Sequence, residues 1–378
     1  MNTTLEAELS EEARAILAEV DRFCTRAVDP RAARPEAPMS PAALAEILAA
    51  AREIGILPGE DPAFGLWEGD PEGAARSVAA LVRLARANAG VALAAHQIAA
   101  ADRIRRALGI GAIGGGVLAI EGRLGIGRGP LGRYLAGGDL DEDDCALLGD
   151  VLDPTAPRIL TTHPDFAWIL APVMRPSGLV GWARLERAAL SITTHDHPHG
   201  FDELVTISFA PAGAPVILDL DLDADASRDR LAEALSVMSL GLVAVALGSA
   251  QRAHALAAAY AGTRRQGGKL IADHAAVGAL LASSRSAILT VEAQLEAITR
   301  RPLALERAGL PHLLALRAEA HPILGRGVND ALQVFGGMGY MRDTGAEKAL
   351  RDVNHLRVIS GSPMELSLVL AAWERASG

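Results

Sequence analysis

Three closely spaced glycines follow a helical run near the C-terminus, where Gly336, Gly337 and Gly339 come soon after Gln333. Clustered glycines after a helix let the backbone turn with positive φ and let a ligand approach the main chain closely. The same spacing is also typical of a helix C-cap followed by a turn. On spacing alone, both interpretations stay open.

A second signal lies further along the chain, where Ser362 is followed by Pro363 and, three residues after the serine, by Glu365. Serine at the N-cap, proline at N1 and glutamate at N3 form a capping box. A helix should therefore begin here. Its free N–H groups and positive dipole end could serve an anion, or could simply belong to a well-capped last helix.

Two other patterns are weaker indications of a functional site. His195, His197 and His199 alternate and could share one face of a strand as metal ligands, but their Pro/Gly-bounded setting favours a solvated loop. Glycines 125, 127 and 129 are not followed by a helix within a βαβ pattern, so a dinucleotide-binding loop is not expected. We predict no metal site.

The region from residue 333 to 362 resembles the C-terminal signature of the acyl-CoA dehydrogenases. It reads Gln-x-x-Gly-Gly-x-Gly-Tyr, then a glutamate, then Arg351-Asp352, and then a Gly-Ser turn. Residues 260–268 are similar to that family's Tyr-x-x-x-Arg-x-x-Phe-Gly segment, with Gly267 where phenylalanine is usual. Residues 84–93 resemble the helix before the active-site floor.

The resemblance implies an FAD site built across a dimer interface. Arg264 would face the FAD diphosphate, and Ser362 would lie by a flavin phosphate at its helix start. The residues implied along the ADP portion, in the neighbouring subunit, are Gln333, Gly336, Gly337 and Gly339. Residues 159–161 take the place of the family's Trp-Ile-Thr/Ser, so Thr161 would bond the flavin ring although the tryptophan is absent. Residues 119–122 take the place of Leu-Thr-Glu-Pro.

The family's catalytic base has no counterpart at either of its two usual positions. Acyl-CoA dehydrogenation needs a carboxylate to remove the α-proton. Ser360 stands at one position, and a serine hydroxyl is too weak a base without a partner. Met238 stands at the other. Glu233, five residues earlier, should point about 140° away around the helix, as a solvated first-turn glutamate.

Three functions follow from the resemblance. The first is FAD-dependent oxidation of an acyl-CoA or another acyl-thioester with a non-standard or relocated base. The second is a non-catalytic partner subunit of a heteromeric acyl-CoA dehydrogenase. The third is a flavin-dependent relative with another reaction, such as oxygen insertion, which needs no α-proton base. A dimer or tetramer, possibly with a homologous chain, is expected in each case.

Composition excludes other classes of protein. The net charge of −10 argues against a nucleic-acid binder, which needs a basic surface to neutralise phosphates. The two cysteines show no metal or disulfide spacing, which fits a cytoplasmic setting. The polar, acidic start is unlike a secretory signal, and the apolar run at residues 240–250 is shorter than a membrane span.

The 378 residues divide by texture into three parts that would position these groups. Residues 1–113 are predicted to be an N-terminal helical domain. Residues 114–224 are predicted to be a middle β domain, with strands near 169–173, 204–209 and 215–218. Residues 225–378 are predicted to be a C-terminal four-helix bundle with helices near 227–262, 270–299, 311–335 and 345–376. The fold class is therefore α+β, of the acyl-CoA dehydrogenase type.

Overall fold

Helices at both ends of the chain enclose a central group of strands. The computed structural model describes residues 9–32, 37–58, 65–69, 72–111, 114–120, 129–196, 199–301 and 304–378. The first helices are α1 (Glu11–Phe23), α2 (Pro41–Glu53), α3 (Gly73–Ala87) and α4 (Ala89–Ala107). The last helices are α7 (Ala224–Thr263), α8 (Ala275–Thr299), α9 (Leu310–Gln333), α10 (Ala346–Leu356) and α11 (Pro363–Ser377). This order confirms the predicted α+β fold class.

The central strands form two sheets. The strands are β1 (Gly116–Leu118), β2 (Arg158–Thr162), β3 (Trp168–Met174), β4 (Val180–Glu186), β5 (Leu190–Thr194), β6 (Val205–Pro211) and β7 (Val216–Ile217). One sheet has the order β1-β3-β4-β7, and the other has the order β2-β6-β5. Within β2 and β6, Thr161 lies directly opposite Thr206. Two short helices, α5 (Pro130–Ala136) and α6 (Glu142–Val151), separate β1 from β2.

The core is organised around α7, a helix of 40 residues that begins after Asp223, whose side chain accepts a hydrogen bond from the Ala226 N–H. Alanine, leucine and valine fill its length, and alanine and leucine favour the helix intrinsically. The helix packs against α3, α4, α8, α9 and α10. A small hairpin, β8 (Arg265–Gln266) and β9 (Lys269–Leu270), follows its end.

The predicted fourth bundle helix is wrong as a single run. Residues 345–376 contain two helices, α10 and α11, separated by a turn at 357–362. The capping box at Ser362 is confirmed, since its Oγ accepts from the Glu365 N–H and its own N–H donates to Glu365 Oε2 at 2.7 Å. The helix-start signal at Ser362 therefore predicted the start of α11 correctly, whereas the continuous helical texture of residues 345–376 did not. Three predicted strands correspond to β3, β6 and β7, while β1, β2, β4 and β5 were not predicted.

Among the helices that the structure describes, α7 and α8 are long and apolar enough to cross a membrane by length and composition. The most apolar stretch of α7 is completely buried inside the protein, as in a core helix, whereas that of α8 is only 22% buried. The continuous apolar helix is thus longer than the run predicted from residues 240–250. The domain boundaries after residues 113 and 224 remain predictions.

Candidate active site

A cavity of about 360 Å³ lies where β2, α4, α7 and the turn after α10 meet. Its lining residues are Gln97, Leu118, Ala119, Ile120, Pro157, Arg158, Ile159, Leu160, Thr161, Met238, His355, Val358, Ile359 and Ser360. The three predicted positions Thr161, Met238 and Ser360, far apart in sequence, thus share one cavity. A cavity of this size and mainly apolar lining suits a small molecule or a cofactor ring.

The turn that carries Ser360 is held by a buried arginine that sequence reasoning missed. Arg317, on α9, donates hydrogen bonds to the carbonyl oxygens of Ile359, Ser360 and Gly361. Ser360 has φ of 53°, a left-handed conformation that is uncommon for residues other than glycine. Its Oγ donates to the Ile120 carbonyl oxygen at 3.3 Å. The turn is therefore fixed from two sides.

Burial lowers the pKa of Arg317 to about 9, a shift that the charge of Glu365 partly opposes. The guanidinium still carries its proton at neutral pH. A buried cation is normally paired or hydrogen-bonded, and here three carbonyl oxygens supply those bonds. No sequence motif marked this arginine, because its partners lie more than forty residues away.

The acid nearest to Met238 along α7 serves another purpose. Glu233 accepts hydrogen bonds from Arg103 at 2.8 Å and Arg230 at 2.5 Å. It lies in a separate charged groove and does not line the cavity. The prediction that it points elsewhere is confirmed, but the description of it as a solvated first-turn glutamate is wrong, because it is buried in the third turn.

The polar wall of the cavity is built around Thr161. Its Oγ1 lies 3.0 Å from His355 Nε2 and 2.9 Å from Thr206 Oγ1. Its carbonyl oxygen accepts a hydrogen bond from Gln97 Nε2 at 2.8 Å. No described residue bonds the buried Gln97 Oε1 or His355 Nδ1. Unpartnered polar atoms beside a cavity are what a polar ligand would satisfy.

The charge of the cavity is unusual for a site that removes protons. Among the described lining residues, only Arg158 and His355 are titratable, and none is a carboxylate. Arg158 donates to the carbonyl oxygens of Asp153 and Pro172. Burial, with a smaller effect of His199, lowers the pKa of His355 to about 4, so its imidazole is neutral at pH 7.

The residues expected along the ADP portion of FAD lie at a different place, where α7 and α9 end. The rings of Tyr260 and Phe335 stack there with centroids 4.8 Å apart and join the two helix ends. Arg264 and Gln333 are both exposed on this surface. They do not line the cavity around Thr161.

The three glycines of this surface differ in the space around them. Gly336 has φ of 58°, and an added Cβ on either Gly336 or Gly337 would meet no atom within 4 Å. That open space is compatible with a ligand close to the main chain. Gly339 is explained by packing instead, because a Cβ there would lie 2.7 Å from the Leu332 carbonyl oxygen.

His195 lies outside these two regions. His195 Nε2 bonds Ser208 Oγ at 2.8 Å. His197, Glu121, Gly122, Gly125 and Gly127 lie outside the described residues. Across the part of the chain that the structure describes, no group of three or more histidine, cysteine or acidic residues is arranged to hold a metal ion.

Comparison with known proteins finds a family match in the C-terminal part of the chain. Residues 229–370 match the acyl-CoA dehydrogenase C-terminal domain. The 3-(aryl)acrylate reductase of Clostridium sporogenes is 31% identical over 138 residues. That alignment covers 36% of this chain and 36% of the relative, so the chain spans about a third of the relative's length.

Solved structures extend the likeness to the whole fold. The butyryl-CoA dehydrogenase of Megasphaera elsdenii superimposes with a TM-score of 0.72 at 15% identity, covering 96% of this chain and 98% of that one. An acyl-CoA dehydrogenase of Bacillus anthracis in complex with FAD also superimposes with a TM-score of 0.72, at 17% identity. That match covers 97% of this chain and 69% of the other chain. Residues 229–370 thus match the acyl-CoA dehydrogenase C-terminal domain, and the chain as a whole has the acyl-CoA dehydrogenase fold.

Proposed function

We propose that the chain is an FAD-dependent oxidoreductase that acts on an acyl-CoA or another acyl-thioester at the cavity around Thr161. One observation carries the proposal. Thr161 from β2, Met238 from α7 and Ser360 from the turn after α10 line one cavity. These are the predicted flavin contact and the two predicted positions of the base.

The residues present fit a flavin. The walls near Ile120, Leu160 and Ile359 are apolar, as the faces of an aromatic ring system require. The Thr161 hydroxyl and the unpartnered Gln97 Oε1 supply polar groups at one edge. FAD, when bound, would supply the two-electron chemistry. Arg264 would face the diphosphate, while Gln333, Gly336 and Gly337 would lie along the ADP portion of the FAD in the neighbouring subunit. The dipole end of α11 at Ser362 would favour a phosphate.

The proposed reaction needs a base that neither Ser360 nor Met238 supplies. In the proposed enzyme, the acyl group binds at the apolar walls of the cavity. The catalytic base is then a non-standard residue or one at a different position. Ser360 presents only a hydroxyl, which is already engaged with the Ile120 carbonyl oxygen. A hydroxyl with no activating partner removes protons poorly.

The same feature supports an alternative from a different class, a non-catalytic partner subunit. A chain that shares interfacial FAD sites with an active homologue can lose its carboxylate and keep the fold. The absence of carboxylates among the described cavity-lining residues fits this function. A flavin-dependent relative with another reaction, such as oxygen insertion, would also need no base.

Absorbance spectra of the purified protein, alone and co-expressed with an adjacent homologous chain, test the proposal. We expect a flavin band in the protein alone and bleaching of that band when an acyl-CoA is added without oxygen. A colourless protein that cannot be reconstituted with FAD would contradict it. Bleaching only in the co-expressed complex would establish the partner-subunit alternative.

We also propose that the protein is a cytoplasmic dimer or tetramer. The support is α8, whose most apolar stretch is only 22% buried and whose Leu289 side chain is 48% exposed. Exposed apolar helix faces are commonly covered by another subunit. Light scattering should give a mass of at least twice that of one chain, and a monomer at micromolar concentration would contradict this assembly.

A further inference from the structure

His355 joins three elements of the cavity wall. It lies on α10, its Nε2 bonds Thr161 Oγ1 on β2 at 3.0 Å, and that oxygen also bonds Thr206 Oγ1 on β6 at 2.9 Å. Its ring makes a T-shaped contact with the ring of Phe201, with ring centroids 5.4 Å apart. The imidazole is therefore held in place, lines the cavity and contacts the Thr161 hydroxyl.

The environment of the second ring nitrogen selects the tautomer. Nδ1 is buried, and no described residue accepts or donates a hydrogen bond there. A buried N–H without an acceptor is rarer in folded proteins than an under-satisfied acceptor. The neutral ring should therefore carry its proton on Nε2 and leave Nδ1 bare. His355 then donates to Thr161.

The direction of this hydrogen bond determines whether the Thr161 hydroxyl can donate a hydrogen bond to a ligand in the cavity. A threonine hydroxyl has one proton to donate and two lone pairs. Because Nε2 already carries a proton, it cannot accept the proton of Thr161. Thr206 can be the donor in its bond with Thr161, which fills the second lone pair of the Thr161 oxygen. The proton of Thr161 thus stays free for a ligand in the cavity.

We propose that His355 is a positioning residue that keeps Thr161 a hydrogen-bond donor toward the cavity. The cavity then takes a ligand edge that carries an acceptor nitrogen or oxygen. The inference rests on the proposed function only in identifying that ligand as a flavin, whose oxidised ring has such atoms. The opposite tautomer would make Thr161 an acceptor only.

The first experiment needs no cofactor. The ¹⁵N shifts of the imidazole nitrogens, assigned with His355→Gln, report the tautomer directly at pH 7. We expect a protonated Nε2 and a bare Nδ1, with an Nε2 shift that changes in Thr161→Val. A protonated Nδ1, or an Nε2 shift insensitive to Thr161→Val, would overturn the proposal even if the protein binds no flavin.

The second experiment measures the dissociation constant of FAD in matched variants. Thr161→Val and His355→Leu should each weaken binding about three- to tenfold, the range expected for one neutral hydrogen bond. His355→Gln, which keeps a donor, should bind like the wild type. The exposed residue His312 supplies the control His312→Leu.

The double variant separates positioning from a general structural role. If His355 acts through Thr161, adding His355→Leu to Thr161→Val should weaken FAD binding no further. Additive losses, or a His355→Gln variant as weak as His355→Leu, would overturn the proposal. Failure of the wild type to bind FAD would refute the proposed function, and the ¹⁵N measurement would still decide the role of His355.

Discussion

Single residues decide what the cavity can do. Arg317 holds the carbonyl oxygens of the turn at 357–362, and Ser360 stands in this turn at one predicted position of the base. The turn is thus well ordered by hydrogen bonds, but its side chain at the predicted base position is not a carboxylate. That contrast makes the side chain at position 360 the most informative one to change.

Ser360→Glu should restore a base at the cavity. A positioned general base contributes about 10²–10⁴ in rate, so we expect acyl-CoA-dependent flavin reduction to rise at least about 100-fold. Ser360→Gln is the matched control, since its amide has a similar shape and cannot act as a base. Stopped-flow absorbance measures both rates. Equal rates in the two variants would show that the missing base is not the only loss.

The buried His321 should make the protein sensitive to acid. Burial, with the charges of Arg317 and Arg357, lowers its pKa to about 3. Its pKa in the unfolded chain is about 6.5, so between pH 6.5 and 3 only the unfolded state binds the proton. Stability is therefore lost as pH falls below about 6.5.

His321→Leu should remove that loss, because leucine does not titrate. The free energy of unfolding is measured in urea at several pH values from 7.5 to 5. Its slope against pH reports the number of protons taken up on unfolding, and in His321→Leu this number should be about one lower than in the wild type. His312→Leu, at an exposed position, should leave the pH dependence unchanged. An unchanged pH dependence in His321→Leu would contradict the prediction.

At the scale of elements, close helix packing depends on where α7 has glycine. At Gly248 an added Cβ would lie 2.3 Å from the Val82 carbonyl oxygen and 2.7 Å from the Ala85 Cβ, both on α3. At Gly262, near the end of the same helix, an added Cβ would meet nothing within 4 Å. Close contact with α3 therefore explains the glycine at position 248 but not the glycine at position 262.

Alanine at these two positions should change stability in opposite directions. Gly248→Ala forces α3 and α7 apart and should destabilise the protein by about 1–3 kcal/mol, as overpacking does. Gly262→Ala should stabilise it by up to about 1 kcal/mol through helix propensity. Urea denaturation gives both values. Destabilisation of similar size in both variants would show that close contact is not the cause.

At the scale of the whole molecule, a buried ionic cluster ties α10 to the segment before β6. Lys348 Nζ lies 3.0 Å from Glu203 Oε2 and 2.6 Å from Asp352 Oδ2. Asp352 Oδ1 accepts from the Phe201 N–H at 2.6 Å, and Phe201 packs on His355. Burial alone would lower the pKa of Lys348, but the two carboxylates hold it above its usual range.

Lys348→Met should leave two buried carboxylates without a counter-charge and destabilise the fold by about 3–5 kcal/mol at pH 7. Burial already raises the pKa of Asp352 while the charge of Lys348 lowers it, so without the lysine this pKa rises further and the folded protein takes up a proton more readily. The deficit should therefore shrink as pH falls toward 5. Urea unfolding at both pH values checks this result.

The chain's only other lysine, the exposed Lys269, supplies the control. Lys269→Met should change the free energy of unfolding by less than about 0.5 kcal/mol, as surface substitutions usually do. A deficit in Lys348→Met that stays constant or grows toward pH 5 would show that unpaired buried carboxylates are not its source.

The sequence by itself determined the features that depend on neighbouring residues. The capping box at Ser362 fixes where α11 begins, because serine, proline and glutamate act within one turn. The order of helices, strands and helices followed from composition and periodicity. The segment from 333 to 362 resembles the acyl-CoA dehydrogenase signature and so indicated the fold. The absence of an acid at positions 238 and 360 can be read directly from the sequence.

Only the tertiary structure decided which distant residues meet. Thr161 and His355 are separated by 194 positions, and Arg317 bonds a turn more than forty residues away. Neither contact has a periodicity or a motif, since each depends on how β2, α9 and α10 pack around α7. The sequence thus predicted the scaffold and the missing carboxylate, while packing decided that an imidazole adjoins the predicted flavin contact.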